Sequence, residues 1–155
     1  MTDFFNKTDL SRKDAENIVS DTLNNCDDGE LYLENSKSES IILDDDRIKS
    51  SSYSSDLGYG LRAITGEVVA YSHSNEISKN SLKQSADNLK STLKSKKGTY
   101  NNSISKTNEK FYNNINPIEK KSLNSKLELL KEVNNYVRSK GAIVQQVTAS
   151  FAGEH

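Results

Sequence analysis

The sequence predicts an α+β domain: a helix, an antiparallel β-meander of about five strands, a second helix, a long loop, a third helix and a final strand. Three observations predict this. Apolar residues recur at helical spacing in three separate stretches, the strongest being "SLNSKLELLKEVNNYVRSK". Between residues 30 and 74 the apolar period falls to two. Acidic and glycine turn signals divide that stretch into short runs. A chain of 155 residues is a natural single domain, long enough to bury about two thirds of its unfolded surface.

The first helix is "LSRKDAENIVSDTLNNC". Ser11 stands as N-cap with Asp14 three residues on, and Ala15, Ile18, Val19, Thr22, Leu23 and Cys26 follow on one face. Asp27, Asp28 and Gly29 stop it. The meander opens with "ELYLE", where Leu31 and Leu33 alternate with Glu30, Tyr32 and Glu34. "SESIIL" and "RIKSSSY" form a hairpin turning at Asp45-Asp46. "SSDL" reads as the next turn, "GYGLRAIT" as the fourth run, and Gly66-Glu67 turns the chain into "VVAYSHS".

Helical period returns in "SKNSLKQSADNLKSTLKS", capped by Ser78, with Leu82, Ala86, Leu89 and Leu93 as its buried stripe. Residues 95–116 are polar and aperiodic, and read as a mobile or poorly packed internal loop. Lys94, Lys96 and Lys97 complement the C-terminal dipole of the helix before it. Pro117 opens the last region. Leu123, Leu127, Leu130, Val133 and Val137 form the third helix's stripe, and Gly141 ends it. "AIVQQVTASF" is the final strand, with Ile143, Val147, Ala149 and Phe151 as inward positions.

Composition narrows the function classes. The formal net charge of -1 supplies no field for nucleic acid or an anionic membrane surface. No run approaches a membrane span. The N-terminal "MTDFFNKTDLSRKD" has no apolar core of a secretory signal. One cysteine, Cys26, allows no intrachain disulfide and fits a reducing compartment, so the expected location is cytoplasmic.

The stretch "DLGYGLRAITG" places glycines at 58, 60 and 66. A phosphate loop needs its glycines between a strand and a helix, whose N-terminus then faces the anion. Here another strand follows. Gly58 and Gly60 at the start of a strand instead permit a bulge or the close approach of another group. Arg62, beside them, has two readings: a clamp for a peptide carboxylate or carbonyl, or, more strongly, a cross-strand ion pair. His73 with Glu76 reads better as an exposed histidine than as a metal ligand, since metal sites need three or four convergent groups. Asp44, Asp45 and Asp46 lack the spread of an EF-hand loop and read as a hairpin turn. Cys26, on an apolar position without a basic partner, reads as buried and inert.

"SESIILDDDRIKSSSYSSDLGYGLRAITGEVVAYSHSNEIS" resembles the N-terminal region of the TldD/PmbA family, zinc metallopeptidases also named modulators of DNA gyrase, and is closer to the TldD branch. "NPIEKKSLNSKLELLKEV" and "QQVTASF" resemble the segments that follow, so the resemblance covers nearly the whole chain. It implies the α+β N-terminal lobe of a longer, two-lobed protein. It places the zinc site in the other lobe, on a His-Glu-x-x-x-His helix with a distant Cys, the Glu activating a zinc-bound water. It also implies two subunits, a TldD-type chain and a paralogue, that enclose a chamber for unfolded peptide.

This chain departs from that pattern. Its two histidines, His73 and His155, begin no His-Glu-x-x-x-His, and Glu154 precedes His155 in reverse order. No zinc is expected in this chain, although full-length relatives carry it. The expectation is a non-catalytic N-terminal lobe, incomplete at its C-terminus. Gly58, Gly60, Leu61 and Arg62 would form a peptide-channel or interface strand. Its partners would be a TldD/PmbA-type paralogue or a second copy, and unfolded peptide, with no nucleic acid and no membrane. The alternative is a stand-alone module that binds a peptide or a paralogue by strand addition beside "GYGLRAIT". The final strand would leave an open edge around residues 143–149, with Val144 or Phe151 short of cover. Marginal stability and self-association would follow.

Overall fold

The computed structural model describes residues 4–5, 8–93, 98 and 115–155. The order of elements is α1 (Arg12–Leu23), β1 (Asp28–Asp44), β2 (Arg47–Thr65), β3 (Val68–Ser74), α2 (Lys79–Leu93), a 3-10 turn (Ile118–Lys120), α3 (Leu123–Arg138) and β4 (Thr148–Glu154). Strands order as β3-β2-β1-β4 in one sheet, and the registers of β1 with β4 and of β2 with β3 are antiparallel. The α+β class therefore stands, with four strands rather than about five. The expected loop at 95–116 lies outside the described residues apart from Gly98, Ile115 and Asn116. Lys94, Lys96 and Lys97 lie outside them too. Among the described residues no helix is long and apolar enough to cross a membrane.

The strand count falls because two expected breaks are not turns. "ELYLE" and "SESIIL" fuse into β1, and "RIKSSSY" runs through "SSDL" into "GYGLRAIT" as β2. Tight hairpin turns need left-handed residues, and within residues 28–74 only Asp45, Asp46 and Gly66 have positive φ. In the supposed turn at 54–57, Ser54 donates to Asp56 two residues along, as side chains on one face of a strand do. Serine-rich sequence resembled a turn in composition while the backbone kept its ladder.

The chain forms two compact units. The first comprises Met1–Asn35 with Leu57–Asn114. Ser11 accepts the Asp14 amide at 3.0 Å and donates to its carboxylate at 2.7 Å, which fixes the start of α1. The helix ends at Leu23, so Cys26 lies just beyond it rather than on its stripe; it is buried there, its thiol 3.7 Å from the Thr22 carbonyl. Ser78 caps α2 by accepting the Ser81 amide. The expected α2 stripe of Leu82, Ala86, Leu89 and Leu93 is buried, together with Ala15 and Val19 of α1 and Tyr59, Leu61, Ala63 and Ala70 of the sheet. The phenol of Tyr59 reaches the hydroxyls of Ser81 and Ser85 at 2.8 and 2.9 Å, so its polar end is satisfied inside that core.

The second unit comprises Ser36–Asp56 with Ile115–His155. Its core is Ile41 and Leu43 of β1, Leu130 of α3 and Ala149 of β4, with Leu127 and Phe151 against them. The inward face of α3 differs from the expected stripe. Lys126, Leu130 and Asn134 are buried, whereas Leu123 and Val133 are exposed. The reason is an ion pair. Lys126 meets Glu39 of β1, donates to the Ile118 carbonyl at 2.7 Å, and lies 5.6 Å from the centre of the Phe151 ring. Their side chains are only 6% and 10% exposed. The C-cap of α3 is Ser139 rather than the expected Gly141, which lies two residues further on with φ 125°.

The last strand is shorter and later than "AIVQQVTASF". Thr148 pairs with Asp44, the last residue of β1, and Val147 is still tied to the hairpin turn, its carbonyl accepting the Asp45 amide at 2.9 Å. Ile143, expected inward, is 87% exposed; Val147 and Ala149 are buried.

β4 is an edge strand, and its hydrogen-bonding phase can be fixed. Lys37 and His155 exchange both backbone bonds at 2.8 Å. With the register of Ser38 on Glu154, the amides of Gly153, Phe151 and Ala149 therefore face β1, and those of Ala152 and Ser150 face the open edge. The residues to alter are thus 150 and 152 rather than the expected 143–149. Gly153→Pro should lose about 1–3 kcal/mol more stability than Ala152→Pro, because it alone strands a ladder carbonyl. Urea denaturation of the two variants measures this, and equal losses would refute the phase. If the edge drives self-association, Ala152→Pro should also reduce it in sedimentation.

Candidate functional site

From Gly58 onward the side chains of β2 alternate between the faces, with Gly60 buried on the outer face beneath Tyr71. Tyr59, Leu61, Ala63 and Thr65 point into the first unit's core, which puts Gly58, Gly60, Arg62 and Ile64 on the opposite face of the sheet. On β3, Tyr71 stands opposite Arg62, His73 opposite Gly60 and Val69 opposite Ile64. On β1, Glu30, Tyr32 and Glu34 are exposed while Leu31 and Leu33 turn to the core. The result is an open face without a covering helix, carrying two glycines, three aromatic rings and several charges.

The glycines are there for close approach. A Cβ on Gly60 would stand 2.7 Å from the Tyr71 hydroxyl, and one on Gly58 would stand 2.9 Å from the Ser74 carbonyl oxygen. Tyr71 leans over Gly60 and stacks on His73, ring centres 5.7 Å apart. On the β1 side, the Tyr32 hydroxyl donates to Glu34 at 2.8 Å. That hydrogen bond to a carboxylate holds the phenol above the usual tyrosine range. Arg62 donates through Nε to Glu30 at 2.9 Å and approaches Asp28 at 3.5 Å. The cross-strand ion pair anticipated for Arg62 is therefore present, with acidic partners from β1.

Of the four residues singled out in the sequence, Gly58, Gly60 and Arg62 share this face. Leu61 does not: it is fully buried among the helices and cannot meet a bound molecule. Strand addition beside "GYGLRAIT" is also closed, because β2 lies between β3 and β1. The remaining candidates resolve simply. His73 stacks on Tyr71, and Glu76 accepts from Ser78 at 2.7 Å. Asp45 and Asp46 are the left-handed residues of the hairpin turn. Asp44 accepts from the Gln146 amide and the Thr148 hydroxyl, which hold its carboxyl below the usual range. Among the described residues no group of three His, Cys, Asp or Glu could hold a metal ion. Sequence reading missed Tyr32 and Tyr71 as parts of the face. The signal was available, since both sit on the polar side of alternating runs.

Comparison with known proteins agrees with this fold. Residues 29–93 match the family profile described as PmbA/TldA metallopeptidase domain 1. The chain is 38% identical over 130 residues to a metalloprotease TldD homolog of Buchnera aphidicola from Acyrthosiphon pisum, covering 83% of this chain and 27% of that protein. It is 34% identical over 134 residues to the metalloprotease TldD homolog of Haemophilus influenzae, again over 83% and 27%. A second Buchnera homolog, from Schizaphis graminum, is 29% identical over 96% of this chain and 31% of its own length. The crystal structure of a candidate modulator of DNA gyrase from Bacteroides thetaiotaomicron shares the fold, with TM-score 0.61 and 17% identity over 92% of this chain and 34% of that one. The chain thus spans about a third or less of the length of the relatives it matches.

Proposed function

Because this is a TldD-like chain carrying, over residues 29–93, domain 1 of the PmbA/TldA metallopeptidase family, we propose that it is the N-terminal lobe of a TldD-like metallopeptidase. In this reading it supplies part of the protein wall around an unfolded peptide and part of the surface that meets a TldD/PmbA-type partner, in the cytoplasm. The observation that carries the reading is the agreement of TldD homology across most of the chain with a sheet whose open face presents Gly58, Gly60, Arg62 and Tyr71. The chain's own residues would hold and orient peptide. The hydrolytic step would belong to zinc held by the family's His-Glu-x-x-x-His, and neither His73 nor His155 lies in that motif.

A second reading is favoured by one feature. The outward amides of Ser150 and Ala152 on β4 offer an edge for strand addition, so a stand-alone binding module would capture an extended chain there.

Metal analysis and a peptidase assay on the purified chain test the first reading. The expected outcome is no stoichiometric zinc and no turnover of unfolded peptide, with or without added zinc. One tightly bound zinc per chain, lost on His73→Ala, would overturn it.

A further inference from the structure

We infer that the open face of the first unit's sheet selects basic peptides, by its exposed carboxylates and aromatic rings. The inference rests on the peptide-holding reading above and gives it a substrate class. Three carboxylates, Asp28, Glu30 and Glu34, line the β1 side of this face. Arg62 is the one cation among its strand residues from 28 to 34, 58 to 64 and 69 to 73, apart from a histidine. The chain as a whole is nearly neutral, so the acidic balance is local. Arg62 is already committed to Glu30 and Asp28. Among the described residues Glu34 meets only a neutral phenol, and so offers a carboxylate that a lysine or arginine of a ligand would satisfy.

The rings add to the same preference. Tyr32 and Tyr71 are exposed, and their faces attract ammonium and guanidinium groups. The space above Gly60 is filled by the Tyr71 ring and that at Gly58 is closed by the Ser74 carbonyl, so a bound peptide would lie over the rings rather than against the strand backbone. An acidic peptide would meet repulsion at Glu34 and find no free cation among the described strand residues of the face. Among the described residues of this unit, Asp27 sits before β1, where its carboxylate accepts the Gly66 amide, Glu67 lies in the turn beside Gly66, and Glu76 follows β3; Glu67 and Glu76 add to the acidic sign.

The test uses the whole chain and two fluorescent peptides of alternating Ser-Lys or Ser-Glu, each of about ten residues, about 33 Å when extended. Anisotropy titration at low salt should show the lysine peptide binding at least about ten-fold more tightly, with the gap closing as salt rises. Glu30→Gln combined with Glu34→Gln should weaken the lysine peptide about five-fold. Tyr71→Ser should weaken it about two- to five-fold. Glu132→Gln, on the exposed side of α3, should change nothing. Equal affinity for both peptides would overturn the basic preference while leaving peptide holding intact. Failure of either peptide to bind would overturn peptide holding as well. A lysine-peptide affinity unchanged in the double variant would place the binding elsewhere and refute the site.

Discussion

Glu39→Leu should destabilise the second unit by about 3–5 kcal/mol, the usual cost of leaving a buried charge without its partner. The magnitude follows from where Lys126 sits. Its ammonium is enclosed by α3, the 3-10 turn and β4, with Glu39, the Ile118 carbonyl and the Phe151 ring as its surroundings. Removing the carboxylate leaves one carbonyl and one ring to stabilise a full charge. Removing both charges together gives a different result. Glu39→Leu with Lys126→Met replaces the pair by apolar groups of similar size and should recover most of the loss, because the two desolvation costs disappear together. Urea denaturation of the two singles and the double closes the cycle. A single-variant loss below about 1 kcal/mol would show that the pair is wet and behaves as a surface bridge.

Leu61→Ala should cost the first unit about 2–5 kcal/mol, whereas Arg62→Ala, one residue on, should cost less than about 1 kcal/mol. The contrast comes from strand alternation alone. Leu61 is completely enclosed among Leu82, Ala86, Leu89 and the α1 residues of the core, so truncation leaves a cavity whose lining loses its contacts. Arg62 holds a pair of exposed ionic contacts screened by water. Thermal or urea unfolding of the two variants reads the difference directly. Equal losses would mean that the register of β2 against the core is wrong by one residue.

Local chemistry was legible in the sequence where one or two residues decide the conformation. Asp45-Asp46 forms the hairpin turn because aspartate tolerates left-handed backbone, and Ser11 and Ser78 cap helices because a hydroxyl satisfies orphan amides. The α2 stripe was legible too, since every one of its buried residues but Ser85 is apolar. What failed were inferences from composition over several residues. Serines at 54–55 looked like a turn, yet serine neither breaks a ladder nor supplies positive φ. The face of α3 was only partly legible: Leu127 and Leu130 pack inward as expected, while Leu123 and Val133 are exposed and Lys126 and Asn134 are buried. Lys126 takes its inward place through a partner more than eighty positions away in the chain, which no local pattern encodes. The open face was half legible. Gly58, Gly60 and Arg62 were marked by their types, but the rings that flank them come from two other strands and were visible only once those strands were paired.

The register of Asp44 on Thr148 also sets an order of events in time. A ribosome releases the chain from its N-terminus, and β2 meets β3 across a turn of two residues, Gly66 and Glu67. Those contacts close short loops at little entropic cost. The arm of β1 from Ser38 to Asp44 has to wait for residues 148–154, its partner strand far along the chain. Until then it has only β2 beside it, and a bare two-stranded ribbon is marginal in water. The second unit is therefore completed only once residues 148–154 have left the ribosome, and until then its nascent hairpin exposes an unpaired strand edge that a chaperone would protect.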